Sequence, residues 1–79
     1  MLVPIYGFLE GDSMGLLVLA HDDMTVADVI AMLRSSARVR TAWDGEAIAM
    51  FRERRLDPWM TVAEAGVGAL DRIDVRRDP

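Results

Sequence analysis

Two apolar segments stand close together near the beginning of the chain, and their pattern predicts a β-hairpin. The segments are Val3–Leu9 and Met14–Ala20, and both are rich in apolar side chains that suit a half-buried strand. The turn residues Glu10-Gly11-Asp12 lie between them. Because so short a connection cannot carry a crossover, the two strands are expected to pair in the antiparallel direction.

Alternate residues of a strand point to opposite faces, which divides the hairpin side chains into two sets. The set that we assign to the core consists of Tyr6, Phe8, Leu16 and Val18. The opposite face then carries Ile5, Leu17 and Leu19. A small sheet has one helix to cover it, so an apolar second face is either a partner surface or a face covered by a loop such as 34–46.

A five-residue phrase, Met-Thr-Val-Ala-Asp at Met24–Asp28, returns at Met60–Glu64 with Glu in the last position. Each copy is typical of a helix start, because the Thr is a good N-cap and the carboxylate three residues later completes a capping box. The first copy opens a helix over Val26–Ser35, where apolar side chains recur at i, i+3, i+4 and i+7. The second is followed by Gly66, which predicts a single helical turn. We interpret the copies as two unrelated helix starts, because the segments after them differ in length and pattern.

The second half of the chain predicts three more strands. They are Ala47–Arg52, a short Arg54–Leu56 and a last strand over Arg72–Arg76. In the last strand Ile73 and Val75 alternate with charged residues, so these two are expected to point inward. No linker or low-complexity tract interrupts the chain, and we expect residues 1–79 to form a single domain.

Composition excludes several classes of function. The chain has no Cys, which excludes disulfides, thiolate metal sites and cysteine nucleophiles. Its net charge of −4 disfavours non-specific binding to nucleic acid. No apolar run approaches the roughly 20 residues that span a bilayer, and the first residues lack the features of a signal peptide. We therefore expect a cytoplasmic protein that binds neither nucleic acid nor membrane.

The order strand, strand, helix, strand, short strand, helical turn, strand resembles the ubiquitin-like β-grasp fold. Thr25-Val26 and the helix after them are similar to the start of the ubiquitin helix, and Thr61–Val67 to its late helical turn. The resemblance implies an α+β domain with a mixed four- to five-stranded sheet packed on one helix. The core that it implies consists of Tyr6, Phe8, Leu16, Val18, Ala20, Val26, Ile30, Val62, Val67, Ile73 and Val75.

The end of the chain limits which activity of that fold is possible. Ubiquitin-type conjugation and sulfur carriage both need a C-terminal Gly-Gly, whereas this chain ends in Arg76-Arg77-Asp78-Pro79. Plant-type ferredoxins share the fold but need four Cys, and there are none here. We therefore expect neither conjugation nor sulfur carriage, and the lack of Cys excludes a ferredoxin.

A closer resemblance covers most of the chain. Phe8–Asp12 running into Leu16–Leu19, the helix after them, and above all Met60–Gly66 look like the toluene monooxygenase system protein B family. That family is the small gamma subunit of multicomponent diiron hydroxylases. The resemblance implies a non-catalytic subunit of a bacterial aromatic or hydrocarbon monooxygenase, packed on the large alpha subunit that carries the diiron site. The alternative is an independent ubiquitin-like adaptor for protein interactions, for instance one associated with type VII secretion.

The chain offers little for catalysis. His21 beside Asp22 and Asp23 is a weak metal candidate, and a solvated turn before the capped helix explains these residues better. We predict no catalytic, cofactor-binding or metal-binding residue and no small-molecule substrate bound directly. The candidate partner-binding residues are Ile5, Leu17 and Leu19 on the second hairpin face, Trp59 as a side chain typical of interface hot spots, and Arg38 and Arg40, which the family resemblance suggests.

Overall fold

The predicted order of strands and helices is confirmed by a computed structural model of the protein, which describes residues 1–37 and 45–78. The elements are β1 (Leu2–Leu9), β2 (Leu16–His21), α1 (Val26–Ser36), β3 (Ala47–Phe51), β4 (Arg54–Arg55), α2 (Val62–Ala65) and β5 (Arg72–Arg77). Every boundary lies within about two residues of its predicted position, the usual spread of element ends. Among these residues no helix is both long and apolar enough to cross a membrane.

The strands form one mixed sheet in the order β2-β1-β5-β3-β4. The β1–β2 hairpin, the β5–β3 pair and the β3–β4 pair are antiparallel. The two central strands, β1 and β5, run parallel, with Tyr6 opposite Arg72 and Leu9 opposite Val75. This is the predicted α+β arrangement, in which α1 covers one face of the sheet and β2 and β4 form its two edges.

The core lies between α1 and the face of the sheet that α1 covers, which we call the inner face. α1 contributes the predicted apolar stripe, and β5 contributes Ile73 and Val75 as expected. The largest fully buried side chains are Ile5, Val26, Val29, Leu33, Val62, Ile73 and Val75. All the buried residues in the described part of the chain are apolar, so burial of apolar surface is the main source of stability.

The predicted facing of β1 is wrong. Ile5 is 0% exposed and belongs to the core, whereas Tyr6 is exposed and Phe8 is only half buried. The buried positions of β1 are Val3, Ile5, Gly7 and Leu9. Because β1 carries apolar side chains on both faces, alternation alone could not decide which set points inward, and a shift of one residue exchanges the two sets. The facing of β2 was predicted correctly: Val18 is buried, and Leu16 packs half buried against the core.

The room for α1 on the inner face depends on Gly7. A Cβ atom at Gly7 would overlap the side chain of Leu33, which is fully buried in α1. Glycine therefore allows the helix to approach β1 closely at this point. The same contact explains why the inward set of β1 includes a residue without a side chain.

The two copies of the repeated phrase begin helices of different length, 11 residues in α1 and 4 in α2, but the copies themselves lie side by side. Thr25 and Thr61 form an antiparallel bridge. Four backbone bonds surround it: Val26 N–H to the Met60 carbonyl (2.9 Å), Val62 N–H to the Met24 carbonyl (2.9 Å), Ala27 N–H to the Pro58 carbonyl (3.0 Å) and Ala63 N–H to the Asp22 carbonyl (3.0 Å). Each of these bonds has a counterpart in which the two copies exchange roles.

Both capping boxes are also complete. The Thr25 hydroxyl accepts from the Asp28 N–H (3.1 Å) while the Asp28 carboxylate accepts from the Thr25 N–H (3.1 Å). In the second copy the Thr61 hydroxyl accepts from the Glu64 N–H (3.1 Å), and the Glu64 carboxylate accepts from the Thr61 N–H (2.9 Å). The caps and the bridge together satisfy the N–H groups that a helix start leaves without intrahelical partners. We call this paired structure the cap bridge.

Candidate functional site: the outer face of the hairpin

The face of the sheet opposite α1, the outer face, carries large exposed apolar side chains at the β1–β2 hairpin. Leu2, Tyr6, Leu17 and Leu19 are 54%, 43%, 53% and 57% exposed. The strand register places Tyr6 opposite Leu17 and Pro4 opposite Leu19, so these side chains are neighbours. We call Leu2, Pro4, Tyr6, Leu17 and Leu19 the outer patch. Adjacent large apolar side chains that stay in water are unusual in a small domain and indicate a binding surface.

Charged residues border the outer patch along β5. Arg72 lies opposite Tyr6 and Asp74 opposite Phe8. The Arg72 guanidinium donates to Asp74 Oδ1 (2.9 Å from Nη2 and 3.2 Å from Nε), and its carbon lies 4.0 Å from the centre of the Phe8 ring. This stacking places a cation on an aromatic face, which holds both side chains in place. The outer face therefore has an apolar half on the hairpin and a charged stripe along β5.

The ends of the hairpin are acidic. Glu10 and Asp12 lie at the turn between the strands, and Asp22 and Asp23 follow β2. The Asp22 carboxylate accepts from the N-terminal ammonium of Met1 at 3.2 Å, which closes the other end of β1 against β2. Residues 1–33 carry five acidic residues and no Lys or Arg. Negative charge therefore flanks the outer patch at both ends of β2.

The predicted partner-binding residues fall into three groups. Leu17 and Leu19 lie on the exposed outer face, as expected, whereas Ile5 is in the core and Tyr6 takes its place on the outer face. Trp59 is 80% exposed, but its neighbours in the chain accept hydrogen bonds from the first turn of α1, which places it on the helix side of the molecule. Arg38 and Arg40 lie outside the described residues.

The three β1 residues of the outer patch, Leu2, Pro4 and Tyr6, were missed by sequence reasoning, and of these Tyr6 is the largest. The signal that would have identified it is Gly7, because the inward set of β1 needs one position without a side chain where α1 approaches. A strand whose inward set is Val3, Ile5, Gly7 and Leu9 leaves room for a leucine of the helix, whereas Tyr6 and Phe8 in that set would fill the same space.

Metal-ligand clusters and unsatisfied buried polar side chains are both absent from residues 1–37 and 45–78. No cluster of three or more His, Cys, Asp or Glu in this range is placed to hold a metal ion, and no buried side-chain N or O atom there lacks a hydrogen-bond partner. His21 is exposed, and Asp22 is engaged with the chain terminus. An open cleft of about 220 Å³ lies between α1 and the β3–β4 edge. What the described surface offers is apolar area for a protein partner.

Comparison with solved structures identifies the fold. A chain of a toluene 4-monooxygenase HD complex with the inhibitor 4-bromobenzoate superimposes with a TM-score of 0.91 at 21% identity, covering 99% of this chain and 100% of that one. Ubiquitin of Caldiarchaeum subterraneum matches with a TM-score of 0.79 at 14% identity, covering 100% of this chain and 96% of that one. The ubiquitin-like domain of Plasmodium falciparum Dsk2 matches with a TM-score of 0.76 at 17% identity, covering 99% and 100%. The fold is therefore the predicted ubiquitin-like β-grasp.

The family is identified from the sequence. A comparison with curated proteins returned no match. The sequence profile of toluene-4-monooxygenase system protein B, in contrast, matches residues 2–76, nearly the whole chain. The fold and the resemblance at Met60–Gly66 both agree with this match. The chain therefore belongs to the toluene-4-monooxygenase system protein B family, whose members are the non-catalytic accessory subunit of a monooxygenase.

Proposed function

We propose that this chain is the small gamma subunit of a bacterial diiron hydroxylase and packs on the large alpha subunit through the outer patch. The family supports a place in a monooxygenase of the toluene-oxidising kind. In this assignment the large subunit holds the diiron site and oxidises an aromatic or other hydrocarbon substrate. The small subunit contributes binding surface and no reacting group. The proposal includes the cytoplasmic location expected from the sequence.

The observation that carries the choice of surface is the contrast between the two faces of the sheet. α1 covers the centre of the inner face, where Ile5, Ile73 and Val75 are at or near 0% exposure. On the outer face, Leu17 and Leu19 remain more than half exposed. Burying apolar area is the main favourable term in protein association, and fully buried apolar and aromatic anchors dominate its energy. We therefore choose the outer patch as the surface of this domain that contacts the hydroxylase.

The experiment is co-expression of this chain with its large hydroxylase subunit, followed by gel filtration. The test variant is Leu17→Asp/Leu19→Asp, and the matched control is Ala31→Asp/Ala63→Asp, which adds the same two charges at exposed positions on the helices. We expect the wild type and the control to co-elute with the hydroxylase and the test variant to elute alone, because an unpaired carboxylate is costly to bury in an interface.

Two further results complete the test. The isolated test variant should keep a thermal midpoint within a few degrees of the wild type, because both positions already face water. If the test variant and the control co-elute equally well with the hydroxylase, the outer patch is not the interface. If the wild type itself does not associate with the hydroxylase, the proposed function is wrong. The independent adaptor remains the alternative reading, but the family match does not favour it.

A further inference from the structure

The free edge of β2 is the second feature of the hairpin that remains without a partner. Within residues 1–37 and 45–78, β2 lies at one end of the sheet order and pairs only with β1. An edge strand presents a row of N–H and C=O groups to its surroundings, and proteins usually protect such edges. The protection of β2 depends on which of its N–H and C=O groups face outward and on which residues it contains.

The hydrogen bonds of β1 show which backbone groups of β2 face outward. Tyr6 N–H donates to the Asp71 carbonyl at 2.9 Å, and the Pro4 carbonyl accepts from Leu70 N–H at 2.6 Å, so these residues of β1 turn their backbone groups toward β5. Because backbone direction alternates along a strand, Ile5 turns its groups toward β2. Ile5 and Val18 are therefore a hydrogen-bonded pair.

The same alternation places the backbone groups of Leu17 and Leu19 on the open side of β2. They stand opposite Tyr6 and Pro4, in pairs that do not exchange hydrogen bonds. Among the described residues, no backbone hydrogen bond outside the strand pairs uses the N–H or carbonyl of Leu17 or Leu19. These two residues thus combine exposed leucine side chains on the outer face with unpaired backbone groups at the edge.

The two edges of the sheet differ in their protection. β4, at the far edge, consists of Arg54–Arg55 alone, and a very short, charged strand is a common protection against pairing with another chain. β2 is six residues long, Leu16–His21, and contains no Lys, Arg, Asp, Glu or Pro. The protection on one edge and its absence on the other suggest that β2 is kept free for a specific strand.

We propose that β2 receives an extended segment of the hydroxylase as a sixth strand of the sheet. The added strand hydrogen-bonds to Leu17 and Leu19, and its alternate apolar side chains extend the outer patch. This mode of recognition takes affinity from main-chain hydrogen bonds and specificity from the alternating side chains. The inference rests on the proposed function and adds how the partner is bound.

Charge argues for a segment with basic residues and against a second copy of this chain. Antiparallel pairing of β2 with β2 would bring Asp22 and Asp23 of one copy toward Glu10 and Asp12 of the other. Like charges placed opposite each other disfavour pairing. An extended segment with apolar residues at alternate positions and Lys or Arg at its ends complements both the outer patch and the acidic ends of the hairpin.

Hydrogen exchange in the purified complex tests the added strand. We expect the amides of Leu17 and Leu19 to be protected to within about tenfold of Val18 and Ala20, whose N–H groups point to β1 in any case. If the complex forms but the Leu17 and Leu19 amides exchange at least about a hundredfold faster than Val18, the partner docks on side chains alone and the added strand is refuted. If no complex forms, the proposed function fails first. A dimer of the isolated chain with both amides protected would overturn the choice of occupant.

A pair of variants separates the backbone from the side chain. Leu17→Ala and Leu17→Pro both remove the leucine, but only proline removes the N–H, and an edge strand tolerates proline where its N–H faces outward. We expect Leu17→Pro to bind the hydroxylase about tenfold more weakly than Leu17→Ala, the effect of one lost hydrogen bond with its partner left unpaired. Equal affinities, with both variants folded by circular dichroism, would contradict the inference.

Discussion

Truncating Ile5 or Leu19 to alanine distinguishes the roles of the two faces of the hairpin, because these residues have similar size and opposite exposure. Ile5 is 0% exposed, and Leu19 is 57% exposed. Ile5→Ala leaves a cavity in the core and should lower the free energy of unfolding by about 3 kcal/mol, within the range of roughly 2–5 kcal/mol for such changes. A domain of this length has roughly 4–12 kcal/mol in total, so the variant is folded but much weakened.

Leu19→Ala should have the reverse profile. Burying a leucine fully contributes roughly 1.5–3 kcal/mol, and less than half of that side chain is buried within the domain. The loss of folding stability is therefore at most about 1 kcal/mol. Covering the remaining exposed part by a partner is expected to contribute about 1 kcal/mol to association, so the variant should bind the hydroxylase roughly fivefold more weakly.

Urea unfolding measures the first quantity, and titration of the hydroxylase with each folded variant measures the second. The reasoning is refuted if Leu19→Ala destabilises the domain as much as Ile5→Ala does, because Leu19 would then belong to the core. It is also refuted if Ile5→Ala weakens association more than Leu19→Ala once the folded fraction is taken into account. The two opposite profiles are thus expected from the exposure of the side chains, 0% for Ile5 and 57% for Leu19, and not from their size.

Three further predictions concern the fold. Gly7→Ala should destabilise the domain by about 1–3 kcal/mol in urea unfolding because its Cβ overlaps Leu33, and adding Leu33→Ala should cost less than the sum of the two single changes. Glu53→Gly should stabilise the domain by about 1 kcal/mol and raise its thermal midpoint. Glu53 has a φ of 65° in the two-residue β3–β4 turn, where glycine has no steric penalty. An unchanged midpoint would contradict this prediction. Thr25→Ala and Thr61→Ala should each cost about 1 kcal/mol, and a double-mutant cycle should show coupling of at least about 0.5 kcal/mol across the cap bridge; strict additivity would mean that the two caps act independently.

The elements that were predicted well have a local cause. The starts of α1 and α2 follow from Thr25 and Thr61, and the end of α2 follows from Gly66, since capping is an interaction between residues a few positions apart. Gly66 adopts a φ of 78°, the left-handed conformation that ends a helix, as its position after the second copy predicted. The facing of β5 follows in the same way, because charged residues alternate with Ile73 and Val75 and only one assignment keeps the charges in water.

The elements that were predicted poorly depend on contacts between distant parts of the chain. The facing of β1 is decided by the approach of Leu33 to Gly7, and the alternation of apolar side chains within β1 does not contain that information. The cap bridge joins Thr25 to Thr61, so reading each phrase on its own shows two helix starts and misses their pairing. For the candidate site, Leu17 and Leu19 were identified from alternation in β2, whereas Tyr6 could be placed only after the facing of β1 was known.

The most direct test of the central claim is photo-cross-linking from the two faces of the assembled complex. A photoreactive amino acid replaces Leu19 on the outer patch in one preparation and Ala31, exposed on α1, in the other. We predict that position 19 cross-links to the large hydroxylase subunit and that position 31 does not. A cross-link to that subunit from position 31 alone would place the interface on the helix side and contradict the account.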